Sequence, residues 1–304
     1  MSARLKGSPP GRNVKTLSKD PESSSSGVYP ASSWKYIAIY YAIAYGISWI
    51  LWSPLILGEE GLKWFHVAPP LPVVISVGTL GPLMACYMTH RLLTGNWRAV
   101  RLLPRDKSRL FWLALGPMLV MFCFFVIVPA LISKGPPNTW RWHPGCVAGI
   151  LVPMFNYNLL GGPLFEEFGW RGFLQPRLQQ ALPPWIAAVI VGVGWAAWHL
   201  PLFLVRGWSS SASPPVFFLI LVGLSMVMAF AFNASDKAVS VAILMHSAFN
   251  SSPRFMEGYL RGVSTREIPW PELLLAVSFL LMGVVLTVAT CGRLAANGDS
   301  PLGV

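Results

Sequence analysis

Charged residues are scarce in this chain, and acidic residues are the scarcest. Only 12% of the 304 residues are Asp, Glu, Lys or Arg, whereas a soluble domain usually carries about 25%. Apolar residues make up 54% of the chain and the mean hydropathy is +0.54. This composition excludes an ordinary soluble domain and predicts a membrane protein. The chain has 23 basic and 12 acidic residues. In a membrane protein this excess of basic residues indicates the orientation of the helices, and we expect no nucleic-acid partner.

Several catalytic signatures are also absent. The four cysteines are scattered within or at the edges of apolar runs, without a Cys-x-x-Cys pair, which favours small buried hydrophobic side chains over a nucleophile. The chain contains no Gly-x-Ser-x-Gly, no His-Glu-x-x-His and no glycine-rich phosphate loop. These absences argue against the common serine hydrolases, zinc proteases and nucleotide-binding enzymes.

The two ends of the chain differ in composition from its centre. Residues 1–34 are basic, rich in Ser, Pro and Gly, and contain no apolar h-region. They predict a disordered tail and no signal peptide. Residues 35–292 form the predicted polytopic membrane domain, and residues 293–304 a short C-terminal tail.

Eight runs free of charged residues approach the length of about 20 residues that a transmembrane helix needs. They lie at about 36–57, 69–90, 110–132, 145–165, 184–205, 214–232, 238–252 and 273–291. The prediction is an all-α membrane protein of about eight transmembrane helices. The seventh run is short, which suggests a helix that ends in a water-filled cavity. Between the fourth and fifth runs, residues 166–182 predict a polar helical segment that is broken near Pro176 and stopped at Pro183.

Basic residues in the loops predict the orientation of these helices. The tail 1–35 and the loop 91–109 carry six lysines or arginines each. Because positive charge is retained on the cytoplasmic side, both termini are predicted to be cytoplasmic. The end of the fourth run, with its glutamates, then lies near the cytoplasmic face.

A few ionisable residues nevertheless lie inside or beside the apolar runs. Glu166, Glu167 and Arg171 stand together after the fourth run, whereas His199 and His246 lie in the fifth and seventh. The other three histidines fall in loops or at interfaces, namely His66, His90 and His143. A charged residue costs about 3 kcal/mol at the centre of a bilayer, so these residues need partners, water or a functional role.

Helical spacing divides these residues into groups. Glu167 and Arg171 are four residues apart and predict an ion pair. Glu166 is rotated by about 100° from Glu167 and can point into a separate cavity. His246 and Asn250 are also four residues apart and share a helix face.

Taken singly, each group has a structural explanation, either as a packing clamp or as an interhelical hydrogen bond. Their joint occurrence favours a functional site. A carboxylate and a histidine can deprotonate a water molecule, and a histidine and an asparagine can donate hydrogen bonds to an oxyanion. The same acid and histidine side chains can instead hold a divalent metal such as zinc, and the sequence does not separate these mechanisms.

Two other classes of function remain open at this point. A proton-coupled transporter can relay protons through acids and histidines, although polar residues confined to the second half of the chain do not fit inverted repeats. A non-catalytic membrane scaffold or immunity protein can bind a peptide in the same cavity.

Three motifs in order carry a resemblance to a known family. They are Glu-Glu-Phe-Gly-Trp-Arg at 166–171, Trp-x-x-x-His at 195–199 and His-x-x-x-Asn at 246–250. This pattern resembles the CAAX prenyl protease and bacteriocin-processing family, also called Abi proteins, over about residues 145–252. One departure is Trp195, where the family often has Phe.

The resemblance implies an eight-helix intramembrane endopeptidase with a conical catalytic cavity open to the cytosol. Glu166 would be the general base assisted by His199, while His246 and Asn250 would form the oxyanion hole. Glu167 and Arg171 would order the site. No cofactor is required by this interpretation.

The same resemblance also implies a substrate and a location. The substrate would be a prenylated or other membrane-associated protein, cut after the prenyl-cysteine. The membrane would be the endoplasmic reticulum in a eukaryote or the plasma membrane in a bacterium.

Overall fold

Helices form the whole of the regular structure in the part of the chain that is described. The computed structural model describes residues 33–96, 100–128, 159, 161–208, 212–260 and 271–295, and no strand occurs among them. The predicted disordered tail lies outside these residues, apart from its last two positions, which begin the first helix.

Ten α-helices are described. Their bounds are α1 Ser33–Leu57, α2 Leu71–Gly78, α3 Leu80–Thr94, α4 Trp112–Phe122, α5 Pro163–Gly169, α6 Gln175–Leu178, α7 Pro184–Trp198, α8 Pro214–Ala234, α9 Val239–Leu260 and α10 Pro271–Ala289. Two π-helical segments, Cys123–Ile127 and Trp170–Leu174, extend α4 and join α5 to α6.

Five helical segments among the described residues are long and apolar enough to cross a bilayer. They are Trp34–Leu57, Leu71–Thr94, Pro184–Leu204, Pro214–Ala234 and Glu272–Ala289. The prediction of an all-α polytopic membrane protein is confirmed, whereas the number of eight crossings stays a prediction. The third run is helical from Trp112, and most of the fourth lies outside the described residues. The seventh run, 238–252, is shorter than the helix it belongs to, because α9 continues to Leu260.

Glycines allow the C-terminal helices to approach closely. A Cβ atom added at Gly192 of α7 would stand 2.7 Å from the Cα of Val222 in α8. One added at Gly223 of α8 would stand 2.6 Å from the backbone nitrogen of Leu280 in α10. Small residues at such crossings provide close van der Waals contact, which is a main source of helix association in lipid. The helix that carries Trp195 and His199 is held against α8 in this way.

The prediction of a helix break near Pro176 is wrong. The chain is helical from Pro163 to Leu178, with the π-helical turn Trp170–Leu174 immediately before Pro176. Proline lacks an N–H group and clashes with the preceding turn of a regular α-helix. The wider π turn ends just before this position and changes the preceding backbone geometry. The helical segment ends instead near Gln179, and α7 begins at Pro184, as predicted.

A polar loop holds the start of α9. Asp236 accepts a hydrogen bond at its carbonyl from Arg101 Nη1 at 2.7 Å and forms an ion pair with Arg109 at 3.1 Å. The backbone nitrogen of Val239 donates to the carbonyl of Arg101 at 2.9 Å. These contacts fix the loop 100–109 to the end of α9 that precedes His246.

Candidate active site

The residues predicted to form a site lie on three elements that meet inside the helical bundle. The segment α5 and its π-helical extension carry two glutamates and an arginine, α7 carries Trp195 and ends at His199, and α9 carries His246. Glu166, Glu167, Arg171 and His246 are all buried, with 4% or less of their surface exposed. The apolar bundle therefore encloses a cluster of ionisable groups.

Glu167 is the shared partner in this cluster. Its carboxylate receives hydrogen bonds from Nη1 of Arg171 at 3.0 and 3.1 Å, and both side chains are completely buried. On its other side, Oε1 of Glu167 lies 2.9 Å from Nδ1 of His246. The predicted i, i+4 ion pair is confirmed. The hydrogen bond to His246 links this pair to α9.

Glu166 points to a different set of groups. Its Oε2 accepts a hydrogen bond from the indole nitrogen of Trp195 at 2.7 Å. No basic side chain among the described residues forms an ion pair with it. The two adjacent glutamates therefore have different surroundings, one balanced by arginine and histidine and the other held by a neutral donor.

Backbone geometry at Gly162 makes room for Glu166. Gly162 precedes α5 with a φ of 156°, a region that favours glycine. A Cβ atom there would stand 2.7 Å from Oε1 of Glu166. Pro163 then begins the helix, where its missing N–H group is harmless. The second carboxylate oxygen thus faces a position that has no side chain.

His199 follows the last residue of α7. Its Nδ1 is 2.9 Å from the carbonyl oxygen of Trp195. Because a carbonyl oxygen only accepts hydrogen bonds, Nδ1 must carry the proton, which leaves Nε2 of the neutral ring as an acceptor. Aromatic rings of Trp198, Trp208 and Phe217 surround the imidazole at centroid distances of 4.6, 5.8 and 5.3 Å.

His246 and Asn250 lie one helical turn apart on α9. The His246 ring meets the Trp195 ring edge-on at 4.7 Å between centroids, while its Nδ1 faces Glu167. Asn250 is half-buried.

Trp195 is the residue whose role the sequence did not predict. It contacts Glu166 through its indole nitrogen, His199 through its carbonyl and His246 through its ring. The guanidinium carbon of Arg171 also lies 4.8 Å from its ring centroid. A buried indole N–H group usually has a hydrogen-bond acceptor. A tryptophan in an apolar run of a chain with so few acceptors was therefore the signal from which this role could have been inferred.

His90 does not lie in a loop, and its placement at a membrane interface stays a prediction. His90 lies within α3 and is buried, and Nη2 of Arg177 is 3.3 Å from its Nδ1. The charged residue at position 91 marked the end of the apolar run, but the helix continues to Thr94. His66 is exposed in the loop before α2, as predicted, and His143 lies outside the described residues.

Metal ligation was the alternative use of these side chains. Within the described ranges, no group of three or more His, Cys, Asp or Glu side chains is arranged to hold a metal ion. Glu167 and His246 are in contact, but the two atoms that face each other, Oε1 and Nδ1, form a hydrogen bond with one another.

The fold and the site define a helical membrane protein with a cluster of buried acids and histidines. Residues 148–252 match the family described as type II CAAX prenyl endopeptidase Rce1-like, and this segment contains all three motifs. This part of the chain is therefore similar to a family of intramembrane proteases. A relative, CAAX prenyl protease 2 of Methanococcus maripaludis, is 24% identical, with 72% of this chain and 84% of the relative covered. The resemblance inferred from the motifs is confirmed, and the transporter and scaffold alternatives are not favoured.

Proposed function

We propose that this intramembrane endopeptidase uses Glu166 as the general base that activates a water molecule. The observation that carries the proposal is the difference between the two adjacent glutamates. Glu167 is occupied by Arg171 and His246, whereas Glu166 has a single neutral donor at one oxygen. A carboxylate without a cationic partner is the better acceptor of a proton from water.

His199 assists at the same step. Its Nδ1 proton is held by the Trp195 carbonyl, so Nε2 is available to accept a hydrogen bond from the attacking water. The water oxygen forms a bond to the carbonyl carbon of the peptide while its proton passes to Glu166. When the carbon–nitrogen bond breaks, that proton passes to the leaving amine.

His246 and Asn250 form the oxyanion hole in this proposal. Glu167 accepts from Nδ1 of His246, and this orients Nε2 away from the ion pair. In the imidazolium form of His246 both ring nitrogens carry a proton, so that Nε2 and the Asn250 amide can donate hydrogen bonds to the developing negative charge. Glu167 and Arg171 order the site and do not touch the substrate.

The substrate in this proposal is a prenylated protein cut near its C-terminus. Support comes from the family description and from the name of the Methanococcus maripaludis relative. A prenyl chain would also bring the peptide bond to the bilayer, where the apolar helices lie. Both termini of the enzyme are cytoplasmic in this proposal, in the endoplasmic reticulum of a eukaryote or the plasma membrane of a bacterium.

The experiment uses the full chain in lipid nanodiscs with prenylated and unprenylated peptides of the same sequence. Mass spectrometry detects cleavage, with and without a chelator. We expect cleavage of the prenylated peptide alone, unaffected by chelation. Cleavage of both peptides would contradict the prenyl requirement, and loss of activity on chelation would favour a metal-bound hydroxide over Glu166 as the source of the nucleophile.

Glu166→Gln tests the base directly. The amide keeps the size of the side chain but cannot take a proton, so we expect kcat to fall by at least about 100-fold. Glu59→Gln, at a half-exposed residue in the loop after α1, is the matched control and should retain activity. A well-folded Glu166→Gln protein with full activity would exclude Glu166 as the base.

A further inference from the structure

Trp195 links groups on two sides of the proposed catalytic centre. Its indole nitrogen is 2.7 Å from Oε2 of Glu166, and its carbonyl oxygen is 2.9 Å from Nδ1 of His199. The side chain is only 1% exposed, so water does not compete for the indole hydrogen bond. One residue thereby fixes one oxygen of the base and one nitrogen of its assisting histidine.

The two links depend on different parts of Trp195. Any residue at this position supplies the backbone carbonyl to His199. The side chain of tryptophan adds an indole N–H donor, which the ring of phenylalanine lacks. The contact with Glu166 is therefore specific to the tryptophan side chain.

We propose that Trp195 is a positioning residue whose indole N–H fixes the rotamer of Glu166 and keeps its carboxylate ionised for catalysis. This inference rests on the proposed function of Glu166. A hydrogen bond to an ionised group is short and strong, and donation to the charged form favours that form over the protonated acid.

The geometry also assigns the two oxygens of Glu166 to different tasks. Oε2 is occupied by Trp195, whereas Oε1 lies beside Gly162, which has no side chain. In this proposal the reacting water binds at Oε1, because Oε2 already has its donor. Arg171 lies over the face of the same indole at 4.8 Å, and this cation–π contact holds the ring in its orientation.

Trp195→Phe tests the inference, because it removes the N–H group and retains an aromatic ring and the backbone carbonyl. The measurement is the pH dependence of kcat/KM for the prenylated peptide in nanodiscs. We expect the acidic limb of the profile to move upward by about one pH unit, since a hydrogen bond to a charged group has about that effect. An acidic limb at the wild-type position would overturn the inference.

Trp170→Phe is the matched control. Trp170 is also completely buried, but its indole nitrogen has no hydrogen-bond partner among the described residues. Its ring packs against Tyr40, Tyr41 and Trp198. Loss of this N–H group should leave the acidic limb in place, and an equal shift in both variants would show a general packing effect and contradict the inference.

A second replacement covers the case in which Trp195→Phe does not fold. Benzothienylalanine at position 195 has nearly the shape of tryptophan, with sulfur in place of the N–H group, and it should give the same shift. Glu166→Gln separates the two proposals. Full activity of that variant would overturn both, whereas an inactive Glu166→Gln with an unshifted benzothienylalanine or Trp195→Phe profile would overturn this inference alone.

Discussion

Two glutamates that are adjacent in sequence have opposite electrostatic surroundings. Glu167 faces Arg171 and His246, and Glu166 faces the indole of Trp195. The difference follows from helix geometry, because neighbouring residues point about 100° apart. One glutamate can therefore hold the site together while the other remains available for proton transfer.

The Glu167–Arg171 pair predicts a large effect on stability. Arg171→Met leaves a buried carboxylate without its main counter-charge, and breaking a buried pair from one side costs about 3–5 kcal/mol. We expect a clear loss of thermal stability for the protein in nanodiscs. The double variant Glu167→Gln/Arg171→Met should recover part of it, because no uncompensated charge remains. Equal stability of the single and double variants would show that the pair has no such role.

Gly162 predicts an effect on activity. In Gly162→Ala the new Cβ atom stands 2.7 Å from Oε1 of Glu166, at a φ of 156° that suits glycine. We expect a loss of at least about tenfold in kcat/KM, measured with the prenylated peptide, because small displacements of catalytic groups reduce rates strongly. Gly46→Ala in α1 is the control, since a Cβ atom there has nothing within 4 Å. A Gly162→Ala enzyme as active as Gly46→Ala would contradict the role of this position.

The residue-level predictions from sequence succeeded where helix spacing alone decides the contact. The Glu167–Arg171 pair and the separate direction of Glu166 both follow from residues on one helix. The links from Glu166 to Trp195 and from Glu167 to His246 join residues 29 and 79 positions apart. They depend on how α5, α7 and α9 lie against one another, and a single sequence carries no direct signal of that.

At the scale of elements, the segment 163–178 shows how a local irregularity changes a prediction. Pro184 begins a helix as expected. Pro163 also begins a helix, although the sequence placed it within the fourth apolar run, and the π-helical turn before Pro176 preserves helical continuity. A π turn is not visible in the apolar pattern of the sequence. Arg171 lies within this turn, four residues after Glu167, so the irregular segment also belongs to the site.

The contact between α7 and α8 gives a prediction at this scale. Gly192→Ala places a Cβ atom 2.7 Å from the Cα of Val222, and two helix backbones cannot both keep their positions. We expect lower thermal stability and lower activity, since α7 carries Trp195 and His199. Both quantities can be measured on the same nanodisc sample, again with Gly46→Ala as the reference. A Gly192→Ala protein with unchanged melting and cleavage would show that α7 is not held by this close contact.

At the scale of the whole molecule, composition was sufficient to predict an all-helical membrane protein. Within the described part of the chain, five of the eight apolar runs correspond to helices that are both long and apolar enough to span a bilayer. The polar residues of α9 obscured its full length, and the run that ended at position 90 missed the last turn of α3, which continues to Thr94. Apolar runs thus located most helices, but they did not fix where a helix ends.

The predicted orientation can be tested through the cysteines. Cys86 and Cys123 are buried, whereas Cys291 is exposed just after α10. In a Cys146→Ser background, a membrane-impermeant maleimide should label Cys291 only from the cytoplasmic side, as analysis of sealed and opened vesicles would show. Labelling from the opposite side would reverse the proposed topology.

The double engagement of Glu167 has a consequence for how this sequence can diverge. Arg171 and His246 both form hydrogen bonds with the carboxylate of Glu167. Replacing one of these three residues alone therefore leaves buried polar groups of the others without that partner. Neutral drift is open to the surrounding aliphatic residues, which can exchange for one another, but it is closed to these three unless they change together. Distant descendants of this fold should therefore be easier to trace by this trio than by their hydrophobic helices.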